Sequence, residues 1–259
     1  MQWQQTVILW LWRASIALQF VLCAVLAATG LWRAYPRFAA YVAALTGESC
    51  ALLVALNQNG RVYARTWMAT RVVVLSLEIP AVLEIFNRWS SSFPGIGKFG
   101  QRLLLVLLAL STGLCFATLP VIWSTAGWIF ANYIVYIANR AVHAGLAAFL
   151  ILMLVFFLKF GGPVAANLKR HTWAMTVFAT ANTLGYFLMT ARNFWLGNLL
   201  LPGISAGTLI YWIFALRTSG EAVPVTPEDT EGWGAAEEMN RQLLEFAGSV
   251  RQRSGSAKK

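Results

Sequence analysis

Residues 66–86 read TWMATRVVVLSLEIPAVLEIF. The stretch is the length of one bilayer crossing, ~20 residues. It is apolar apart from Arg71, Glu78 and Glu84, with Pro80 between them. Ionised groups are costly at membrane depth and normally face a bundle interior, a partner or water. Its reading as a membrane helix with inward charges therefore sets the reading of the whole chain.

Working outward, six further apolar stretches flank it. The spacing predicts seven spans at about 6–31, 37–56, 66–86, 103–123, 133–159, 172–190 and 195–216. Composition agrees: 58% of the 259 residues are hydrophobic, 12% are charged, and the mean hydropathy is +0.61. The predicted fold is all-α, a seven-helix transmembrane bundle over residues 1–216. Residues 217–259 follow as a cytoplasmic linker, a short amphipathic helix and a basic end.

The acids are concentrated in that tail. Only Glu48, Glu78 and Glu84 precede residue 217. Residues 1–216 hold fourteen Lys and Arg against three acids, whereas residues 217–259 hold six against seven. A basic membrane domain fits loops held at an anionic cytoplasmic leaflet and argues against a nucleic-acid partner. Loops one, three and five carry more Lys and Arg than the opposite side, which predicts N-terminus out and C-terminus in. Met1 to Gln5 has no basic residue, so residues 6–31 are expected to be a retained helix, not a cleaved signal. The sequence also lacks an Asn-x-Ser/Thr site, which suits a bacterial inner membrane.

Turn composition marks Asn57–Gly60, a loop at Ser90–Gly95, and a stop at Gly161–Pro163. Residues 128–138 fit either an interfacial segment or an extension of the fifth helix. In the tail, Thr226–Pro227–Glu228–Asp229 looks like a helix start. Met239, Leu243, Phe246, Ala247 and Val250 then recur at helical spacing. Residues 227–253 could lie on the bundle or engage a protein partner.

The interior polar positions are the candidate site. Glu48 and Arg71 both fall in the outer half of neighbouring spans, so they can pair. Arg71 and Glu78, seven apart, share one helix face. Asn132, Tyr136, Asn139 and His143 form a polar stripe with Arg140 beside it, and Asn182 and Tyr186 lie one turn apart on the next helix. Together these suggest an outward-facing ligand pocket. The ordinary alternative is interhelical hydrogen bonding at ~0.6 kcal/mol per bond, with Glu48–Arg71 fixing helix register. Glu84 is expected to pair with Arg88 on the helix surface.

No catalytic motif is present, so an enzyme is not expected, and no cofactor is called for. His143 reads as near the outer face and His171 as part of a cytoplasmic loop, which separates them as haem ligands. The seventh span has no lysine for a retinal Schiff base. Cys23, Cys50 and Cys115 sit inside apolar runs and suggest no disulfide framework. Gly203 and Gly207 form a G-x-x-x-G expected to serve helix packing. The functional expectation is a receptor- or sensor-like module, or a scaffold, reporting through the tail. The alternative is a small-solute or ion transporter or channel using Glu48 and Glu78.

Four segments carry one resemblance: WRAYPRF at 32–38, LEIPAVLEIF at 77–86, FPGIGKFG at 93–100 and NRAVH at 139–143. In this order they resemble a poorly characterised group of bacterial seven-helix integral membrane proteins. The resemblance implies the topology and assigns no activity.

Overall fold

The computed structural model describes residues 2–92, 94–117, 128–160, 164–191, 193–221, 234 and 237–245. The α-helices are α1 (Gln2–Ala28), α2 (Leu31–Ala34), α3 (Pro36–Leu56), α4 (Gly60–Trp89), α5 (Pro94–Ala117), α6 (Trp128–Phe160), α7 (Ala166–Thr190) and α8 (Phe194–Ala215). Five of them, α1, α3, α5, α6 and α8, are long and apolar enough to cross a membrane. The two most polar of the long helices, α4 and α7, are not among those five.

Local chemistry sets the element ends. Gly30, at φ 72°, supplies the left-handed turn between α1 and α2. Pro36 opens α3, where its missing N–H costs nothing. The Asn59 side chain caps α4 by accepting from the Val62 N–H. The loop expected at Ser90–Gly95 is shorter than that. Ser90–Ser92 forms a 3-10 turn, and α5 begins at Pro94. The ambiguous 128–138 stretch is part of one continuous helix, α6. The Gly161–Pro163 stop and the Thr226–Asp229 helix start lie outside the described residues.

Neighbouring helices pack in a closed order. α3 lies on α4, α5 on α6, α6 on α7, α7 on α8, and α1 closes the circuit between α8 and α3. α4 also touches α6 and α7 across the middle. Gly197 makes the α7–α8 approach: a Cβ there would stand 2.9 Å from the Gly185 carbonyl oxygen. Among the described residues, no atom outside their own stretch of helix lies within 4 Å of where the Cβ atoms of Gly203 and Gly207 would be, and both line an open groove between α7 and α8.

The apolar surface faces outward. Val72, Leu105, Leu110, Leu114 and Phe214 are exposed, whereas Glu78, Asn139, His143, Asn167 and Thr172 are wholly buried. This is the distribution expected where the surrounding solvent is hydrocarbon and polar groups must be satisfied within the protein.

Residues 237–245 are helical. Met239 and Leu243 pack with Ile96, Trp89 and Phe156, at the end of the bundle where α4 stops and α5 starts. Phe246, Ala247 and Val250 lie outside the described residues.

Candidate functional site

Arg71 is the hub of the interior. Burying a guanidinium requires a counter-charge and acceptors for its donors. Its Nη1 meets Glu48 Oε2 at 3.2 Å, with both side chains buried. Its Nε donates to Asn139 Oδ1 at 2.6 Å, and its guanidinium lies 5.8 Å from the Tyr186 ring centre. The expected Glu48–Arg71 pair is thus formed, across α3 and α4, with α6 holding the other side of the arginine. Thr70 is near Glu48 Oε1 at 3.4 Å.

Asn139 links this pair to a second one. Its Nδ2 donates to the Val135 carbonyl at 2.8 Å. Its own carbonyl lies 2.7 Å from His143 Nδ1. The other ring nitrogen, Nε2, lies 3.3 Å from Glu78 Oε2, and both side chains are fully buried. His143 is therefore wholly buried and well inside α6, not at its start. α6 starts at Trp128, so residue 143 lies ~22 Å along it. The ring packs on Tyr186 at 5.7 Å and Phe178 at 6.1 Å.

The other candidates divide. Tyr136 stacks between Trp67 and Tyr186, at 5.1 and 6.3 Å. Asn182 donates to the Phe178 carbonyl and lines the cavity described next. Arg140 turns away from the Arg71 cluster. It donates to Thr190 Oγ1 at 3.0 Å and the Cys115 carbonyl at 3.1 Å. The Asn132 side chain lies outside what is described.

A cavity of about 550 Å³ runs from the start of α1 to this interior. It begins beside Gln5 and ends at Gln19, ~20 Å along the helix. Glu48, Arg71 and Asn182 contribute its polar floor, and Trp12, Trp67 and Phe178 part of its aromatic wall. Gln19 is 4% exposed and its Oε1 has no hydrogen-bond partner among the described residues. A second cavity of about 610 Å³ adjoins it under Tyr133 and Tyr136, sharing Tyr63, Trp67, Tyr186 and Asn198.

The opposite end of the bundle is closed by a separate polar cluster. Glu84 does not pair with Arg88 as expected. Its two oxygens accept from the Arg37 and Phe38 N–H groups at 3.2 and 3.0 Å, so it caps α3 at the positive end of its dipole. Arg88 instead donates to the Ala34 carbonyl and meets Glu221 at 3.3 Å. Glu221 also accepts from Tyr35 Oη at 3.0 Å and Asn167 Nδ2 at 2.7 Å. Burial, with Glu221 next to it, pushes the Tyr35 hydroxyl well above its usual range, so it remains a donor. His171 is not in a loop. It lies within α7, fully buried among Tyr35, Phe38 and Trp212 at 5.5, 4.2 and 5.6 Å.

Sequence reasoning missed the Glu78–His143 pair, the Glu84 cap, Gln19 and the Glu221 cluster. A signal existed for the first two. Three acids inside apolar spans each need a partner, and Arg71 can serve only one of them well.

Among the described residues no three His, Cys, Asp or Glu side chains converge as a metal ion would require. Comparisons with protein-family models, curated proteins and solved structures find no match.

Proposed function

We propose that this chain is a seven-span, receptor- or sensor-like protein of a bacterial inner membrane, N-terminus out and C-terminus in. It receives a small molecule in the outer cavity and reports through the cytoplasmic end. The observation that carries the reading is the cavity that ends on the buried Arg71–Glu48 pair. A mostly apolar cleft with a few convergent polar groups is the usual form of a ligand site.

The seven-span count rests on where α4 and α7 put their polar groups. Arg71, Glu78, Thr172, Thr176 and Asn182 are all buried, so both helices are polar because of what they turn inward. Each is long enough to cross a bilayer, at 30 and 25 residues. The basic loops support this orientation, and the resemblance to bacterial seven-helix proteins supports the compartment. On the inner side the tail helix rests on Ile96 and Trp89. A rearrangement there would free its apolar stripe for a protein partner.

The fitting ligand is small and amphipathic, with a hydrogen-bond donor for Gln19 and an apolar body for the aromatic wall. A thermal-shift screen of such molecules on the purified protein tests this. A ligand at ~100 times its Kd adds about 2.7 kcal/mol, a readily measured rise in Tm. Stabilising ligands should lose at least tenfold in affinity in Gln19→Leu. If no molecule stabilises the protein, or Gln19→Leu responds like wild type, the cavity is not the ligand site. The transporter reading is favoured by one observation, the fully buried Glu78–His143 pair. Ligand-driven proton flux in proteoliposomes would establish that reading instead of the receptor.

A further inference from the structure

The two buried pairs form one chain of contacts, and that chain ends on a site that must hold a proton. His143 Nδ1 lies 2.7 Å from the Asn139 carbonyl oxygen. A carbonyl can only accept, so Nδ1 carries hydrogen and donates it. The Nε2 atom then faces Glu78 Oε2 at 3.3 Å. If Nε2 and the carboxylate were both bare, two lone pairs would face each other at full burial. Neither Glu78 oxygen nor His143 Nε2 makes a hydrogen bond among the described residues; the two side chains meet at ion-pair range. An anion left in that state costs several kcal/mol. Two arrangements relieve it. Either the carboxylic acid O–H donates to imidazole Nε2, or the imidazolium Nε2–H donates to the carboxylate. Each arrangement holds one proton and is net neutral.

Among the described residues the cation acting on the pair is Arg71, which has a counter-ion of its own. The ionisable groups facing the pair are Tyr41 on α3, Arg71 on α4 and Tyr186 on α7, with Glu48 behind Arg71. Tyr41 is wholly buried and its hydroxyl has no partner among the described residues. Arg71 is already matched by Glu48. On α6 itself, Arg140 points to Thr190 and Cys115.

The link to the cavity is continuous. Glu48 and Arg71 line the cavity floor. Arg71 Nε holds Asn139 Oδ1, and the Asn139 carbonyl holds His143 Nδ1. We propose that Glu78 and His143 together form a one-proton site, and that the charge balance at the cavity floor controls its occupancy through Arg71 and Asn139. An anionic group reaching Arg71 strengthens proton retention; loss of the Glu48 charge weakens it. The inference does not depend on the protein being a receptor, because the proton site is defined without any ligand.

Infrared spectroscopy of the protein in lipid, titrated with pH, tests it. The readouts are the C=O stretch of a carboxylic acid and the imidazolium ring modes. Wild type is expected to show one titration that involves both groups and disappears in Glu78→Gln. Two further variants should move it in opposite directions. In Glu48→Gln the unbalanced Arg71 cation should drive the proton off at a pH lower by roughly one unit, the size of a Coulomb interaction at ~12 Å in a medium of ε ~20. In Asn139→Asp the added carboxylate still accepts from Arg71 and should hold the proton to a higher pH. A titration that survives Glu78→Gln, or no titration in wild type, overturns the proton site. A midpoint unmoved in both Glu48→Gln and Asn139→Asp overturns the coupling. Because Asn139→Asp keeps the Arg71 contact, poor folding of Glu48→Gln would not remove the test.

Discussion

Glu48→Gln is expected to cost about 3 kcal/mol of stability or more, the range found when one partner of a buried ion pair is removed. The amide oxygen still accepts a hydrogen bond, but Arg71 loses its counter-charge at 3.2 Å. Its second contact, Asn139, is neutral, so a cation stays in a low-dielectric interior without compensation. The double variant Glu48→Gln with Arg71→Gln should cost clearly less than Glu48→Gln alone, since no charge is then stranded. Thermal unfolding in detergent or nanodiscs measures all four corners of the cycle. Additive losses would mean that the two side chains do not interact.

The second large effect is expected at Trp212. Its ring is 1% exposed and packs on Phe38 at 4.9 Å, His171 at 5.6 Å and Phe178 at 6.2 Å. It is the point where α3, α7 and α8 meet, one ring behind the cavity wall at Phe178. In a bilayer the transfer of apolar surface contributes little, because lipid tails are as apolar as the core. Lost packing still counts. A residual cavity on the order of 130 Å³, at ~24 cal/mol per Å³, gives about 3 kcal/mol for Trp212→Ala. Trp212→Phe should cost under half as much. The indole Nε1 has no hydrogen-bond partner among the described residues, so its removal leaves nothing unpaired. Equal losses for Ala and Phe would show that the indole N–H, not ring packing, is what matters there.

The helices were legible because apolar runs of bilayer length are hard to mistake. Their ends were not. Residues 60–65 and 166–171 carry Arg61, Arg65, Lys169 and Arg170, yet they extend α4 and α7 by a turn or more; Asn59 caps the first, and the buried Asn167, Leu168 and His171 anchor the second. The Ser90–Gly95 segment reads as a loop by composition, but Ser90–Ser92 coils into a 3-10 turn. In the site, Glu48 and Arg71 were readable together because a buried cation and a buried anion at one depth must find each other. Glu78 was seen but its partner was not. The depth of His143 depends on where α6 begins, and residues 128–138 suit the interface and the helix equally well by composition. For Glu84, helical spacing points to the nearest cation along the helix, Arg88. The structure gives it the free N–H groups of α3, which no i,i+4 rule can show. Gln19 had no sequence signal, being one amide in an apolar helix.

An outward-facing cavity admits water and small molecules from outside as far as the Arg71–Glu48 pair. Cysteine accessibility in intact cells measures that entry, with Cys23, Cys50 and Cys115 first replaced by Ala. Asn198→Cys lies where the two cavities meet, Asn182→Cys lies in the cavity floor, and Ser219→Cys sits on the exposed turn at the opposite end. A small, charged, membrane-impermeant thiol reagent added outside should modify Asn198→Cys quickly and Asn182→Cys more slowly, and should reach Ser219→Cys only after lysis. Labelling of Ser219→Cys in intact cells, or an Asn182→Cys that reacts only after lysis, would contradict the outward-facing cavity.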